Sequence, residues 1–410
     1  MLDPFLEGTT LPLALSDRRI FIVDHEILDG IPTKEGFVVC APIALFFQSK
    51  DGSLVPIAIQ LFQQQSEHNP IFLPTDPKYT WILAKMWFNN ADAAVHQAAQ
   101  HMCNTHLLIE GAYVITQRNL SQSHPIFKLL MPHILYIIPI NVRAAERIMS
   151  HGGWVEKAMS IGIEGMQEIV SRQKSIWRMD TDGTLPANFR ERGVEDFEIL
   201  PQYYFREDAM MLYEVIRTYV LKYIKLYYET DDKIMHDDEL RNWREEMVKP
   251  YTEGGLELHG VPGNHGHFVT KTDICDVLTW IIFTCSVGHA SLNRKQYDEY
   301  AYPPNCPLLL RGVPPTDKEP RAEHDILDAL PDKHTTVDTM TITHILSQSR
   351  GNPLGTFDVN FVYDPAAVRV VKEFREDLKK VSSTIKTRNR RRPVPYDVID
   401  PDKVTNTMCI

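Results

Sequence analysis

The sequence contains few cysteines and no excess of basic residues. Six cysteines occur among 410 residues, and none of them forms a CxxC pair. Their irregular spacing argues against a disulfide framework and indicates reduced thiols, as in a cytosolic protein. The 43 lysines and arginines are outnumbered by 54 aspartates and glutamates, which gives a net charge of −11. This balance argues against a protein that coats nucleic acid or an anionic membrane.

Long hydrophobic runs and targeting signals are also missing. The N-terminal stretch MLDPFLEGTT has no basic region followed by an apolar stretch, so we expect no secretory signal. The longest apolar runs, Ile134–Ile140 and Val277–Phe283, are shorter than the ~20 residues that span a bilayer. Hydrophobic residues make up 43% and charged residues 24% of the chain, as in ordinary globular proteins. We therefore expect a cytoplasmic globular protein.

The chain divides into a short mixed segment and a long helical one. Ile20–Val23 and Val55–Leu61 are β-branched runs bounded by turn residues, which predicts strands. From Trp81 to about residue 171 the chain is poor in glycine, which indicates long helices. We predict a mainly α fold, with strands and loops over residues 1–75 and a helical core over 76–410. No clear linker interrupts the helical part, which favours a single domain over residues 1–410.

Three further helices are predicted from capping residues and apolar periodicity. Asp208 precedes an apolar stripe, as an N-cap would, and Asp364–Pro365 precedes another. A third helix runs from Thr272 to about Arg294, and its middle, VLTWIIFTCSV, is apolar on all sides and is predicted to be buried. The polar region 230–267 is predicted to be mostly loop, since it holds a cluster of glycines.

The histidines carry the chemical signal of this sequence. His96, His101 and His106 recur at intervals of five residues in HQAAQHMCNTHLLIE. On a regular α-helix this interval separates side chains by about 140°. Two of them can therefore converge on one metal only where the helix widens, as in a π-bulge. His289 and Asn293 are four residues apart and share one face of the apolar helix.

Two interpretations of these residues remain open from spacing alone. A buried histidine is commonly a hydrogen-bonded core residue, because an unsatisfied buried polar group costs about 1–3 kcal/mol. The alternative is a metal site, for which imidazole and amide donors suit iron, manganese or zinc. Cys103 is the only thiol at a useful spacing within a ligand segment, which weakens the case for a structural zinc site.

The segment around the histidines resembles a known family. WILAKMWFNNADAAVHQAAQHMCNTHLLIEGAYVITQRNLSQSHPIFKLLMPH, residues 81–133, is similar to the signature helix of lipoxygenases. Four further segments resemble animal lipoxygenases: IFIVDHEILDGI, VPIAIQL, NPIFLPTD and PYDVIDPDKVTNTMCI. The resemblance runs from about residue 19 to the last residue and includes both histidine motifs and a terminal isoleucine. It implies a large helical catalytic domain of the lipoxygenase type.

The resemblance implies one non-haem iron per chain, which changes between Fe2+ and Fe3+. The implied ligands are two histidines of a His-x4-His motif, the histidine and asparagine of GHASLN, and the C-terminal carboxylate: His101, His106, His289, Asn293 and Ile410. His96 matches a family histidine that is not a ligand. The implied reaction removes a hydrogen atom from the doubly allylic carbon of a polyunsaturated fatty acid, such as arachidonate or linoleate. Dioxygen then adds to the carbon radical and gives a hydroperoxide.

The resemblance also implies roles for residues around the iron. Gln97 and Gln296 match glutamines that orient the ligands through hydrogen bonds, although ordinary core or surface hydrogen bonding explains them equally well. The implied substrate pocket is lined by aliphatic side chains: Ala93, Leu107, Ala144, Ile148, Ala158, Met159 and Ile342. Alanine at the position of Ala144 accompanies S products in the family, so we expect S stereochemistry.

The chain departs from the family pattern in two respects. The usual N-terminal β-barrel lipid-binding domain has no counterpart here, and neither have several helices, so we expect an N-terminally truncated catalytic domain. Without the barrel, we expect the usual calcium-assisted attachment to membranes to be lost. The sequence still allows another kind of peripheral contact with a membrane. Arg294–Lys295 replace the usual Phe-Gly, and Gly111–Ala112 replace a bulkier pair. We expect these replacements to loosen the packing around the ligands.

Three hypotheses about function follow. The leading one is an iron lipoxygenase that acts on C18 or C20 fatty acids and has no nucleic-acid partner. The second is a catalytically silent fragment that binds metal or a full-length partner and regulates it. The third, a metal hydrolase, would need a glutamate beside the histidines as in HExxH, and no such motif occurs. The oligomeric state stays open.

Overall fold

The computed structural model describes residues 2–348 and 350–409. These residues form a mainly helical fold with one three-stranded antiparallel sheet near the N-terminus. The predicted fold class is therefore confirmed.

The sheet consists of β1 (Ile20–Asp24), β2 (Ile43–Gln48) and β3 (Leu54–Gln60), in that order. β2 pairs antiparallel with both neighbours, and its pairing with β3 is irregular between Leu45 and Phe46. The two outer strands lie where the sequence predicts them. The central strand was missed, because its residues IALFF form an apolar run without the alternation that marks a strand.

Helices make up the rest of the regular structure. The α-helices among the described residues are α1 (Leu11–Ser16), α2 (Lys78–Val95), α3 (Leu108–Asn119), α4 (Pro125–Ile134), α5 (Ile137–Arg147), α6 (Trp154–Ala158), α7 (Gly162–Ile176), α8 (Leu185–Glu191), α9 (Tyr204–Tyr227), α10 (Asp232–Met235), α11 (Asp238–Val248), α12 (Lys271–Phe283), α13 (His289–Asn293), α14 (Gln296–Tyr300), α15 (Glu323–Ala329), α16 (Lys333–Leu346) and α17 (Pro365–Asn389). Two π-helical segments, His96–Leu107 and Thr284–Gly288, join α2 to α3 and α12 to α13. Short 3-10 turns occur at Asp3–Phe5, Glu26–Leu28 and Tyr251–Glu253.

Capping chemistry explains where two of the predicted helices begin. The Thr270 side chain caps α12 by accepting a hydrogen bond from the backbone N–H of Asp273. In return, the Asp273 side chain accepts from the backbone N–H of Thr270. Asp364 caps α17, its side chain accepting from the backbone of Ala366. Both starts lie at or next to their predicted positions. The middle of α12 is buried on all sides, as its composition predicts.

The loop prediction for residues 230–267 was wrong in part. This region contains α10 and α11. In α11, Leu240, Trp243 and Met247 are buried at helical spacing. Acidic and basic residues separate these three apolar residues. The segment is therefore polar overall, and its apolar face is hard to recognise in the sequence.

Asp208 does not cap a helix, which corrects a second prediction. α9 begins four residues earlier, at Tyr204, and the Asp208 side chain is completely buried. Its carboxylate accepts from Arg388 at 2.9 Å and from Arg392 at 2.6 and 3.0 Å. This buried ion pair joins α9 to the end of α17, and the stacked rings of Tyr219 and Phe374, 4.3 Å apart, join the same helices within the main core.

Two continuous helical stretches, Pro125–Arg147 and Lys271–Tyr300, are long and apolar enough to cross a membrane by length and composition. The uninterrupted apolar runs in the sequence are shorter than these helical stretches, because polar residues interrupt both stretches. Their most apolar windows are 56% and 78% buried inside the fold. Core helices of globular proteins pass the same test, so these stretches are weak evidence for membrane spans.

The buried pair between α9 and α17 gives a test of this packing. Asp208→Ala leaves the buried Arg392 with the longer ion pair to Glu207, at 3.4 Å, and we expect the free energy of unfolding to fall by about 3–5 kcal/mol. The surface pair Lys222–Glu373 joins the same two helices at 2.7 Å, but about half of each side chain is exposed. Glu373→Ala is therefore the control, with an expected loss below about 1 kcal/mol. Equal losses in urea unfolding would contradict the assignment.

Candidate metal centre

Two adjacent helical segments supply the three histidines, and both segments leave regular α-helical geometry. His101 and His106 belong to the π-helical segment His96–Leu107. His289 begins α13 directly after the second π-helical segment, Thr284–Gly288. In a π-helix the hydrogen bonds join residues i and i+5, so residues five apart lie on one face. The widening that the histidine spacing requires is therefore present.

The three imidazoles converge on one point. One ring nitrogen from each of His101, His106 and His289 lies within 4.8 Å of the others. The Nε2 atoms of His101 and His289 are 3.3 Å apart, and the three ring centroids are separated by 5.0 to 5.2 Å. Three nitrogen donors at this separation can hold a single metal ion.

Burial keeps these rings neutral. His101, His106 and His289 are 9%, 5% and 1% exposed. Burial is the main cause that lowers the pKa of all three rings, and neighbouring imidazoles lower the pKa of His101 and His289 further. A neutral imidazole has one bare nitrogen available to a metal. Neutral imidazoles together with the amide of Asn293 fit iron, as the resemblance implies.

His96 differs from the other histidines because both of its ring nitrogens have protein partners. Nε2 donates to the carbonyl of Leu292 at 3.1 Å, and Nδ1 accepts from the hydroxyl of Tyr300. Burial lowers the pKa of His96, so the ring is neutral and has no bare nitrogen left. This geometry explains how three equally spaced histidines divide into two that face the cluster and one that joins two helices.

A chain of amides connects the two ligand segments. Gln97 Nε2 donates to Gln296 Oε1 at 2.8 Å, and Gln296 Nε2 donates to Asn293 Oδ1 at 3.1 Å. His101 Nδ1 lies 3.4 Å from Gln97 Oε1. Asn293 Nδ2 donates to the Leu346 carbonyl at 2.8 Å, which fixes the orientation of its amide. The two glutamines singled out in the sequence thus contact each other, His101 and Asn293.

Sequence reasoning missed the partner of His106. His106 Nδ1 donates to Asn141 Oδ1 at 2.8 Å, which leaves Nε2 for the cluster. Asn141 lies on α5 and is 7% exposed. It is 35 residues from His106 in the chain, so no local pattern connects the two. A buried asparagine on an otherwise apolar helix face was the one available signal.

The C-terminal segment reaches the cluster through buried contacts. Asn406 donates to the Pro132 carbonyl at 2.7 Å and accepts from the Gly355 backbone at 3.0 Å. Cys409 then lines the same cavity as His101 and Asn293. Ile410, the implied carboxylate ligand, lies outside the described residues.

An apolar cavity opens beside the cluster. Two histidines of the cluster line it together with small or bulky apolar side chains and three methionines: His101, His106, Ala144, Ile148, Trp154, Met102, Met149 and Met166. Its volume of about 50 Å³ is far below the roughly 300–1,000 Å³ of a typical ligand site. A long-chain ligand can therefore enter only if lining side chains move. Three methionines suit such movement, because their side chains are flexible.

The implied pocket residues divide into three groups. Ala144 and Ile148 line the cavity. Four others do not line the cavity but belong to the same apolar cluster as Trp154 and Met166, which do: Ala93, Ala158, Met159 and Ile342. Leu107 is 36% exposed and lies outside the cavity lining.

The departures from the family pattern have local explanations. A Cβ atom at Gly111 would lie 2.9 Å from a methyl group of Leu256, so glycine permits close packing at this point instead of loosening it. Lys295 pairs with Asp298 at the surface, 2.9 Å apart. Arg294 follows Asn293 directly, and burial lowers its pKa.

The comparisons with known proteins agree with this geometry. A family model described as Lipoxygenase matches residues 1–395. The chain is 36% identical over 413 residues to "Polyunsaturated fatty acid lipoxygenase ALOX15B" of Homo sapiens, covering 98% of this chain and 60% of that protein. It is 33% identical over 417 residues to "Hydroperoxide isomerase ALOXE3" of Homo sapiens, covering 100% of this chain and 58% of that protein.

A solved structure is equally similar. The chain superposes with a TM-score of 0.94 and 32% identity on the structure described as "Anaerobic crystal structure of delta413-417:GS LOX in complex with arachidonate", covering 100% of this chain and 62% of that one. The chain thus spans about 60% of the length of the relatives that it matches. From the family match, the identities and the shared fold, we conclude that the chain belongs to the lipoxygenase family.

Proposed function

We propose that this chain is a non-haem iron dioxygenase that converts a polyunsaturated fatty acid and dioxygen into a fatty-acid hydroperoxide. The observation that carries this proposal is the convergence of His101, His106 and His289 beside an apolar cavity. Family membership and relatives named for polyunsaturated fatty acids support the substrate class.

The proposed iron ligands are the three histidines, the Asn293 amide and the Ile410 carboxylate. When bound, the iron supplies the one-electron step in which the doubly allylic carbon loses a hydrogen atom. The protein holds the imidazoles neutral and oriented, with Gln97 and Gln296 fixing the position of His101 and Asn293. Ala144, Ile148 and Trp154 exclude water from the reacting carbon.

The alternative is a catalytically silent fragment that binds metal or a full-length partner. The observation that favours it is the narrow cavity. Isomerase activity is a second alternative for the same site, because one relative is named a hydroperoxide isomerase.

Conjugated-diene formation separates the leading proposal from the silent fragment. The purified, iron-quantified chain is given arachidonate and followed by ultraviolet absorbance, beside His289→Ala and the loop-histidine control His265→Ala. We expect dienes from the native chain and the control only, because His265 is exposed and is not one of the clustered histidines. Iron binding without dienes in the native chain would favour the silent fragment. Consumption of added hydroperoxide in place of fatty acid would favour the isomerase.

The side chain at position 144 tests the stereochemical proposal. Ala144 is 7% exposed and lines the cavity with His106, so removing its methyl group opens space on one wall. We expect Ala144→Gly to shift the hydroperoxide from S toward R, measured by chiral chromatography. Ala145→Gly is the control on the exposed face of α5. Unchanged chirality in Ala144→Gly would remove position 144 from the determinants.

The Ile410 carboxylate is tested by moving it. Deleting Ile410, or adding a short polar tag after it, shifts the terminal carboxylate by one or more residues. We expect either change to lower bound iron from about one ion per chain to a small fraction, measured by elemental analysis. Ile410→Val keeps the carboxylate in place and should retain iron. Full iron occupancy after the deletion would contradict the assignment.

A further inference from the structure

The amide of Asn141 has one permitted orientation. Its Nδ2 donates to Glu110 Oε2 at 2.6 Å and to the His106 carbonyl at 3.1 Å. A carbonyl offers only acceptor atoms, and so does an ionised carboxylate, so the nitrogen end of the amide must face them. The oxygen end, Oδ1, therefore faces His106 Nδ1, 2.8 Å away.

This orientation determines the tautomer of His106. Because Oδ1 only accepts, His106 Nδ1 must carry the proton, and Nε2 stays bare toward His101 and His289. The contact to the His106 carbonyl also ties Asn141 to the backbone of the same residue. Asn141 thus holds both the ring and the peptide of one proposed ligand.

Glu110 places an acceptor behind the amide. It lies four residues after His106, where α3 follows the π-helical segment, and contacts Asn141 from the same side. Its carboxylate polarises the amide and makes Oδ1 a stronger acceptor, which raises the electron density on the imidazole. His101, in contrast, contacts Gln97, which donates to Gln296, and both of these side chains are neutral.

Asn141 also connects the cluster to the cavity. Asn141, Ala144 and Ile148 follow one another at spacings of three and four residues along α5 and its C-terminal cap, so they share a face. Ala144 and Ile148 line the cavity. The hydrogen bond that fixes His106 therefore also fixes the rotation of the helix that forms one cavity wall.

We propose that Asn141 and Glu110 are positioning residues: the Glu110–Asn141–His106 relay sets the tautomer and the donor strength of His106 as a metal ligand. This inference rests on the proposed function, because it takes His106 to be a ligand. Neither residue contacts the substrate cavity as described, so they act through His106.

Metal binding and a metal spectrum test this relay without measuring turnover. The apo-chain is titrated with Co2+, whose visible absorption reports the ligand field, and separately with Fe2+. Glu110→Gln is nearly isosteric and keeps an acceptor for Asn141 while removing the charge. We expect its metal affinity to fall by about 10- to 100-fold, with a shifted Co2+ spectrum. Asn141→Leu, which removes the relay, should show a larger loss.

The control is Glu146→Gln, which removes one charge from an exposed position on the same α5 helix. We expect native affinity and spectrum from it. Thermal unfolding of each apo-chain shows whether a variant is folded, and Glu110→Gln keeps the test valid where Asn141→Leu is unstable. Native affinity and spectrum in a folded Glu110→Gln would overturn the relay while leaving the metal site intact. A native chain that binds no Co2+ or Fe2+ would overturn the proposed function, and this inference with it.

Discussion

The whole site depends on a local widening of one helix. In regular α-geometry His101 and His106 would point about 140° apart, and no arrangement of neighbouring helices could bring both rings to one ion. The π-helical segment solves this, and a second one lies directly before His289. Side-chain hydroxyls follow the same pattern in both, since Thr105 donates to the His101 carbonyl and Ser286 donates to the Ile282 carbonyl at 2.6 Å. Both segments that supply the proposed ligands thus include π-helical geometry next to the histidines.

An imidazole in an apolar core needs hydrogen-bond partners, and a ring nitrogen without a protein partner is available to a metal. His101 and His106 each use Nδ1 for an amide oxygen and keep Nε2 free, whereas His96 uses both nitrogens within the protein. The distinction between the proposed ligands and His96 is thus made by the partners of each ring, because burial lowers the pKa of all of them. The same amides join separate elements, so the polar network that sets the ligands also holds the helices together.

Local signals in the sequence were sufficient for part of this structure. Histidine spacing, the Asp364 cap and the apolar stripe of α12 depend on residues within a few turns, and the structure bears them out. The partners that complete the picture are distant in the chain. Asn141 lies 35 residues from His106, Asp208 lies 184 from Arg392, and Asn406 lies 274 from Pro132. Such pairings exist only once the fold brings the elements together, so the local sequence predicts a cap at Asp208 and gives no partner for His106.

The composition of the cavity wall constrains how a fatty acid can approach the cluster. None of the described residues that line the cavity is Asp, Glu, Lys or Arg, and its histidines are neutral. A carboxylate in the part of the cavity away from the proposed iron would lose its hydration, and no lysine or arginine of the described lining would replace it with a counter-charge. An acyl chain placed there meets apolar groups and flexible methionines instead. The apolar wall therefore favours an orientation in which the proposed substrate presents its acyl chain to the histidines and keeps its charged end outside, as the proposed oxidation at a doubly allylic carbon requires.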